Sequence, residues 1–216
     1  MNNKNKKLSI LAMLSAIAYL VMIIGRIPVI LFLKYDPKDV IITIGGFIFG
    51  PLSSFIISIL VSFVEMFTIS DTGFIGLVMN ILSTCAFACT AAYIYKKNKT
   101  LKGAIMGLLT GCISMTAIML LWNYLITPIY LGYPREAVAK MLIPAFLPFN
   151  LLKGGLNAAI TMLLYKPLVT VLRKSNLIPE SNKKEQQSKI NIGVLLISIL
   201  ILLTCILLVL VLNGTL

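Results

Sequence analysis

Three polar side chains in an otherwise apolar stretch offer the most chemistry in this chain. In Pro148-Phe149-Asn150-Leu151-Leu152-Lys153-Gly154-Gly155-Leu156-Asn157, spacings of three and four residues put Asn150, Lys153 and Asn157 on one helical face. That face carries amide donors and acceptors and one ammonium group. Upstream, Trp122-Asn123-Tyr124, Thr127 and Tyr130 add a further amide, hydroxyls and aromatic surfaces. Such a set suits a planar heterocycle, with rings to stack on and amides to match an imide edge. Blander readings stand beside it. Lys153 is also placed to snorkel to an interface, Trp122 and Tyr124 to form an interfacial belt, and Asn123 and Asn150 to bond helix to helix. Glu65 is the second charge inside apolar sequence, either near headgroups or paired with Lys153.

Enzymatic chemistry finds little to work with. The chain has no His, which removes imidazole metal sites, His-based triads and His proton relays. Its seven acidic residues include no Asp-rich motif for a metal and a phosphate, and no GxxxxGK[ST] loop is present, so the chain does not hydrolyse ATP by itself. Cys85, Cys89, Cys112 and Cys205 all lie in apolar runs and read as packing thiols. Several intramembrane acids, expected of a proton-coupled carrier, are also missing. Uphill movement of a solute then needs an energy source elsewhere. No metal and no cofactor are expected.

The elements that must position these residues are membrane helices. Of 216 residues 59% are hydrophobic and 12% charged, and the mean hydropathy is +0.98, too apolar for a surface solvated by water. The net charge of +12 sits in short basic clusters between apolar runs, as in cytoplasmic loops, so nucleic-acid binding is not expected. The first run, Leu8 to Gly25, follows Lys4, Lys6 and Lys7. A signal peptide cleaved near Ala16-Ile17-Ala18 is the competing reading, but the run continues too far. Val40 to Ser70 is long for one span and is broken by Gly45-Gly46 and Gly50-Pro51. Further runs are Phe74 to Tyr95, Gly103 to Ile126, Leu151 to Val171 and Ile190 to Leu212.

Loop charges decide how the long run is divided. If it turns at Gly50-Pro51, thirteen Lys and Arg share the side of the N-terminus and five (Arg26, Lys34, Lys38, Arg135, Lys140) lie opposite, with Lys153 in the membrane. That asymmetry fits the positive-inside bias. The expectation is an all-α integral membrane protein with a cytoplasmic N-terminus. Residues 1–174 form a six-helix body, 175–189 a polar cytoplasmic linker, and 190–216 an appended transmembrane helix.

Several segments together carry a family resemblance. Phe32-Leu33-Lys34-Tyr35-Asp36-Pro37-Lys38-Asp39, then Ile44-Gly45-Gly46-Phe47-Ile48-Phe49-Gly50-Pro51, with Asn123-Tyr124 and Phe149-Asn150-Leu151-Leu152-Lys153-Gly154, resemble the substrate-binding S components of energy-coupling factor (ECF) transporters, above all the riboflavin-specific members. The likeness runs from about Lys7 to Lys174. It implies a six-helix binding unit in a bacterial plasma membrane, capturing riboflavin from outside as cargo. It also implies docking on a transmembrane coupling subunit and two ATPases.

By matching motifs, Asn123, Asn150 and Lys153 are the implied flavin-bonding residues. The loop at Leu33, Tyr35 and Asp36 covers the pocket, and Trp122, Thr127, Phe149 and Asn157 stand beside it. Ala12 and Ala16 resemble the family's docking motif for the coupling subunit; an ordinary helix contact within the chain is the alternative. Members usually end after six helices, so Ile190 to Leu212 departs from the pattern. Outside this reading stand an S component for thiamine or biotin, a stand-alone ion-coupled carrier, and a membrane scaffold or regulator without a small ligand.

Overall fold

The computed structural model describes residues 3–30, 33–174 and 192–212. The expected linker, 175–189, lies outside the described residues, as do Leu31 and Phe32 of the covering loop and the tail 213–216. In chain order the elements are α1 (Asn3–Gly25), β1 (Ile27–Ile30), β2 (Leu33–Tyr35), α2 (Lys38–Phe49), α3 (Pro51–Thr68), α4 (Gly73–Thr84), α5 (Thr90–Lys97), α6 (Leu101–Leu125), α7 (Thr127–Leu131), α8 (Arg135–Met141), α9 (Leu147–Lys174) and α10 (Ile192–Leu212). A π turn at Cys85–Cys89 joins α4 to α5, and a second at Leu142–Phe146 joins α8 to α9.

Among the described residues five helical segments are long and apolar enough to cross a bilayer: Lys4–Gly25, Pro51–Thr68, Gly73–Lys97, Leu101–Leu125 and Arg135–Val171. The chain is a multi-pass membrane protein of the all-α class, with one short β-hairpin. Large apolar side chains face outward as well as inward: Phe67, Phe74 and Ile113 are exposed, while Leu14, Ile42, Ile57, Phe87 and Met115 are buried where α1, α2, α3, α6 and the first π turn meet. In water the outer set would form sticky patches; in lipid it is the solvated surface.

The long run divides where the loop charges require. Gly50 has φ 94°, a conformation that L side chains rarely adopt, and Pro51 begins α3 at a position where no amide hydrogen is needed. The turn lies beside Lys96, and the Lys7 ammonium stands 5.8 Å from the Phe49 ring centre. The start of α1, the Gly50 turn and the end of α5 therefore share one end of the molecule. At twelve residues α2 is about 18 Å long, too short to cross alone.

That shortness has a structural cause which the sequence reading missed. The stretch from Arg26 to Asp39 is not a plain outer loop. It folds as an antiparallel hairpin pairing Ile27 with Tyr35, and α2 begins inside the protein. Lys38, placed among the outer cations by the loop count, has 0% exposure, and Asp39 is equally buried. Lys153 and Glu65 are thus not alone at depth: the buried charged side chains among the described residues also include Asp36, Lys38 and Asp39. Burial of so many charges is tolerated because each finds an opposite partner.

Candidate functional site

At the end opposite the Gly50 turn a cavity of about 300 Å³ opens between the hairpin, α3, α4, α6 and α9. Its wall contains Leu33, Asp36, Asn123, Thr127, Phe149, Asn150 and Lys153. The structure thus gathers seven of the ten pocket residues implied by the family resemblance on one surface, with Tyr130 and Glu65 beside them, from segments more than a hundred positions apart. Tyr35, Trp122 and Asn157 are not part of that wall. Trp122 packs against the main core, with an indole N–H that is buried and without a partner among the described residues. Tyr35 and Asn157 stand behind the wall. The Tyr35 hydroxyl donates to Asn157 Oδ1 at 3.0 Å, and Asn157 Nδ2 donates to Asp39 Oδ2 at 3.2 Å. Burial, aided by the charges of Asp39 and Asp36, pushes the Tyr35 phenol up, so it remains a donor.

The amides of Asn123 and Asn150 are each held by the backbone carbonyl one turn earlier. Asn123 Nδ2 donates to the Met119 carbonyl at 2.8 Å, and its Oδ1 accepts from Thr127 Oγ1 at 2.9 Å. Asn150 Nδ2 donates to the Phe146 carbonyl at 2.7 Å, on the π turn that leads into α9. Among the described residues nothing donates to Asn150 Oδ1. An amide carries two hydrogens and two acceptor positions, so both side chains keep capacity for a ligand while their rotamers are held. Phe149 and Tyr130, with Met79 and Met119, supply the apolar and aromatic part of the wall.

Under the wall, charges are paired in two groups. Asp39 accepts from Thr84 Oγ1 at 2.7 Å and faces Lys153 Nζ at 3.4 Å; Lys153 also reaches Ser83 Oγ at 3.4 Å. The second group is centred on Glu65, which takes donors from Arg26, from Lys38 and, at 3.0 Å, from Asn80 Nδ2. Arg26 also grips Asp36 through two contacts, 2.7 and 3.3 Å. Burial opposes the Arg26 charge, but the Asp36 hydrogen bond and the charges of Asp36 and Glu65 outweigh it and hold the guanidinium above its ordinary pKa. Arg26, Lys38 and Lys153 balance Asp36, Asp39 and Glu65, so the buried charges at and behind the cavity wall sum to zero. Lys34 and Asp71, 3.1 Å apart at the mouth, are exposed and contribute little.

Arg26, Lys38, Asp39, Asn80 and Ser83 were not found from sequence. Asn80 left a usable signal, a lone amide in the apolar run Phe74 to Tyr95. Lys38 and Asp39 left only their position directly before an apolar helix, which an exposed loop shares. The expected docking residues Ala12 and Ala16 are exposed on α1, clear of the helix contacts made by Leu11 and Leu14.

Comparison with known proteins bears on this arrangement. Residues 6–165 match the family described as ECF transporter, substrate-specific component. The chain is 32% identical over 181 residues to the riboflavin transporter RibU of Streptococcus thermophilus, covering 78% of this chain and 85% of that protein. It is 29% identical to RibU of Staphylococcus aureus, covering 79% and 94%, and 28% identical to the riboflavin transporter FmnP of Bacillus subtilis, covering 81% and 99%. A solved S component of a bacterial ECF transporter superimposes with a TM-score of 0.65 at 31% identity, covering 78% of this chain and 98% of that one.

Proposed function

The chain belongs to the substrate-specific component family of ECF transporters, and from that premise we propose that it is the riboflavin-binding subunit of a vitamin importer in the bacterial plasma membrane. The observation that carries the reading is the convergence of Asn123, Asn150 and Lys153 with Phe149 and Tyr130 on one cavity of about 300 Å³. A flavin is flat and has an imide edge of alternating acceptors and a donor, which side-chain amides and an ammonium complement. Its faces suit the Phe149, Met79 and Met119 surfaces. Its polyol chain suits Asn80, Ser83 and Thr72, which also border the cavity. Balanced buried charge favours a neutral solute over a phosphorylated one. The names of the relatives point the same way.

In this reading residues 1–174 form the binding unit, 175–189 a linker and 190–216 a further membrane segment. The end that holds Lys7, Gly50 and Lys96 faces the cytoplasm, by the excess of basic residues there, and the cavity opens outward. Hydrolysis of ATP belongs to two separate ATPase subunits working through a transmembrane coupling subunit. Ala12 and Ala16, small and exposed on α1, permit the close helix approach such docking needs.

The test is a titration of the purified protein with riboflavin, following flavin fluorescence. Saturable quenching at nanomolar to micromolar levels is expected, with flavin mononucleotide at least about tenfold weaker, a difference of roughly 1.4 kcal/mol. Absence of quenching, or equal affinity for thiamine or biotin, overturns the assignment.

A further inference from the structure

Helix α10 lies beyond the stretch that matches the family, yet it is seated against the candidate site. We propose that α10 is a brace: through Cys205 and Val209 it positions the β1–β2 hairpin and the Phe149 wall, and so slows escape of the bound ligand. The inference rests on the functional reading above and goes beyond it, because it gives a role to a helix outside the matched region.

The seat is built into α9. Its paired glycines serve two neighbours. A Cβ on Gly154 would come within 2.3 Å of Cys112 Sγ on α6, and one on Gly155 within 3.3 Å of Cys205 Sγ on α10. Gly155 therefore lets α10 approach closely, as small residues do where helices meet in lipid. One turn further along, Val209 joins Cys205 against a separate apolar cluster of Val29, Tyr35, Phe149, Leu152 and Leu156. Two of these belong to the hairpin, and Phe149 lines the cavity. On the opposite face of α10, Leu200, Leu203 and Leu207 are exposed, an apolar surface suited to lipid.

A two-stranded hairpin is marginal without support, and here the support has two sides. The Arg26–Asp36 pair ties it toward α3; Cys205 and Val209 close it from the side of α9. Leu33, Lys34 and Asp36 border the cavity, so the hairpin forms one of its sides and its looseness bears on ligand escape. The brace also reaches the cavity cation, because Tyr35 holds Asn157, Asn157 holds Asp39, and Asp39 faces Lys153. Loosening a cover that a bound ligand must displace raises the dissociation rate more than the association rate. Helix α1, with exposed Ala12 and Ala16, packs on α2 and α3, so the brace leaves that face uncovered.

The experiment uses the full-length protein with Cys205→Ala and Val209→Ala combined. Val209→Ala alone serves as the milder change should the double variant not fold. Stopped-flow riboflavin quenching is expected to show dissociation accelerated about three- to tenfold, with association changed by less than about twofold. Amide hydrogen exchange over the hairpin, measured without ligand, is expected to speed up as well. Leu203→Ala and Leu207→Ala, on the lipid face, are expected to change neither. Wild-type dissociation and hairpin exchange in the Cys205 and Val209 variants overturn the brace. Equal effects from the lipid-face controls also overturn it, since α10 would then act only by being inserted. If the unaltered protein does not quench riboflavin, the functional reading fails, while the exchange comparison still decides the brace.

Discussion

Replacing Lys153 by Met separates what this ammonium does for the fold from what it does for the ligand. Its Nζ lies 3.4 Å from Asp39 Oδ2 and 3.4 Å from Ser83 Oγ, and the Asp39 carboxylate has 0% side-chain exposure. Breaking a buried ion pair from one side costs about 3–5 kcal/mol, because the remaining charge stays buried without its partner. Asp39 keeps the Thr84 and Asn157 donors, and the lost contact is long, so the low end, about 3 kcal/mol, is expected. For a chain of this size that corresponds to a fall of roughly 6–12 °C in the thermal midpoint. The ligand loses a charged hydrogen-bond donor, about 1.5–3 kcal/mol, or roughly ten- to 150-fold in Kd. Adding Asp39→Asn removes the orphaned charge. The double variant should regain most of the thermal stability and none of the affinity. Circular dichroism melts and riboflavin quenching read the two quantities. Affinity within about twofold of wild type in the single variant, or a double variant as unstable as the single, refutes the division of roles.

Other outcomes follow from the same geometry. Asn150→Ala and Asn123→Ala are each expected to weaken riboflavin binding by about 1–2 kcal/mol, and unchanged titrations for both would move the ligand elsewhere. Ala12→Trp and Ala16→Trp are expected to abolish riboflavin uptake by cells while leaving quenching intact; loss of quenching instead would assign that face to internal packing. Glu65→Gln leaves Arg26 and Lys38 without their shared carboxylate and should destabilise the protein by about 3 kcal/mol or more. Lys34→Ala, at an exposed pair, should change stability by less than about 1 kcal/mol, and comparable melts for the two variants would contradict the buried network.

How far the sequence carries can be judged from particular residues. Gly50-Pro51 was legible as a turn because the left-handed backbone at Gly50 and the missing amide hydrogen of Pro51 are local properties. The face of Asn150, Lys153 and Asn157 was legible because helical spacing alone creates it. Its division was not. Asn150 and Lys153 border the cavity, whereas Asn157 is turned to Tyr35 and Asp39, and neither partner lies on its own helix. Trp122 has the composition of a ligand platform, but its neighbours make it part of the core.

Hydropathy and charge add up along the chain, and membrane solvation acts on each segment nearly independently. The membrane class, the helical runs, the turn at Gly50 and the meeting of Lys7 and Lys96 at that end therefore followed from residue order. Pairing depends on which distant groups meet. Only the tertiary structure could carry Lys38 and Asp39 from an outer loop to buried pairs behind a cavity wall, bring Arg26, Lys38 and Asn80 to Glu65, and lay α10 along Gly155. A buried charge is stable only beside its partner, and no local pattern states where that partner will be.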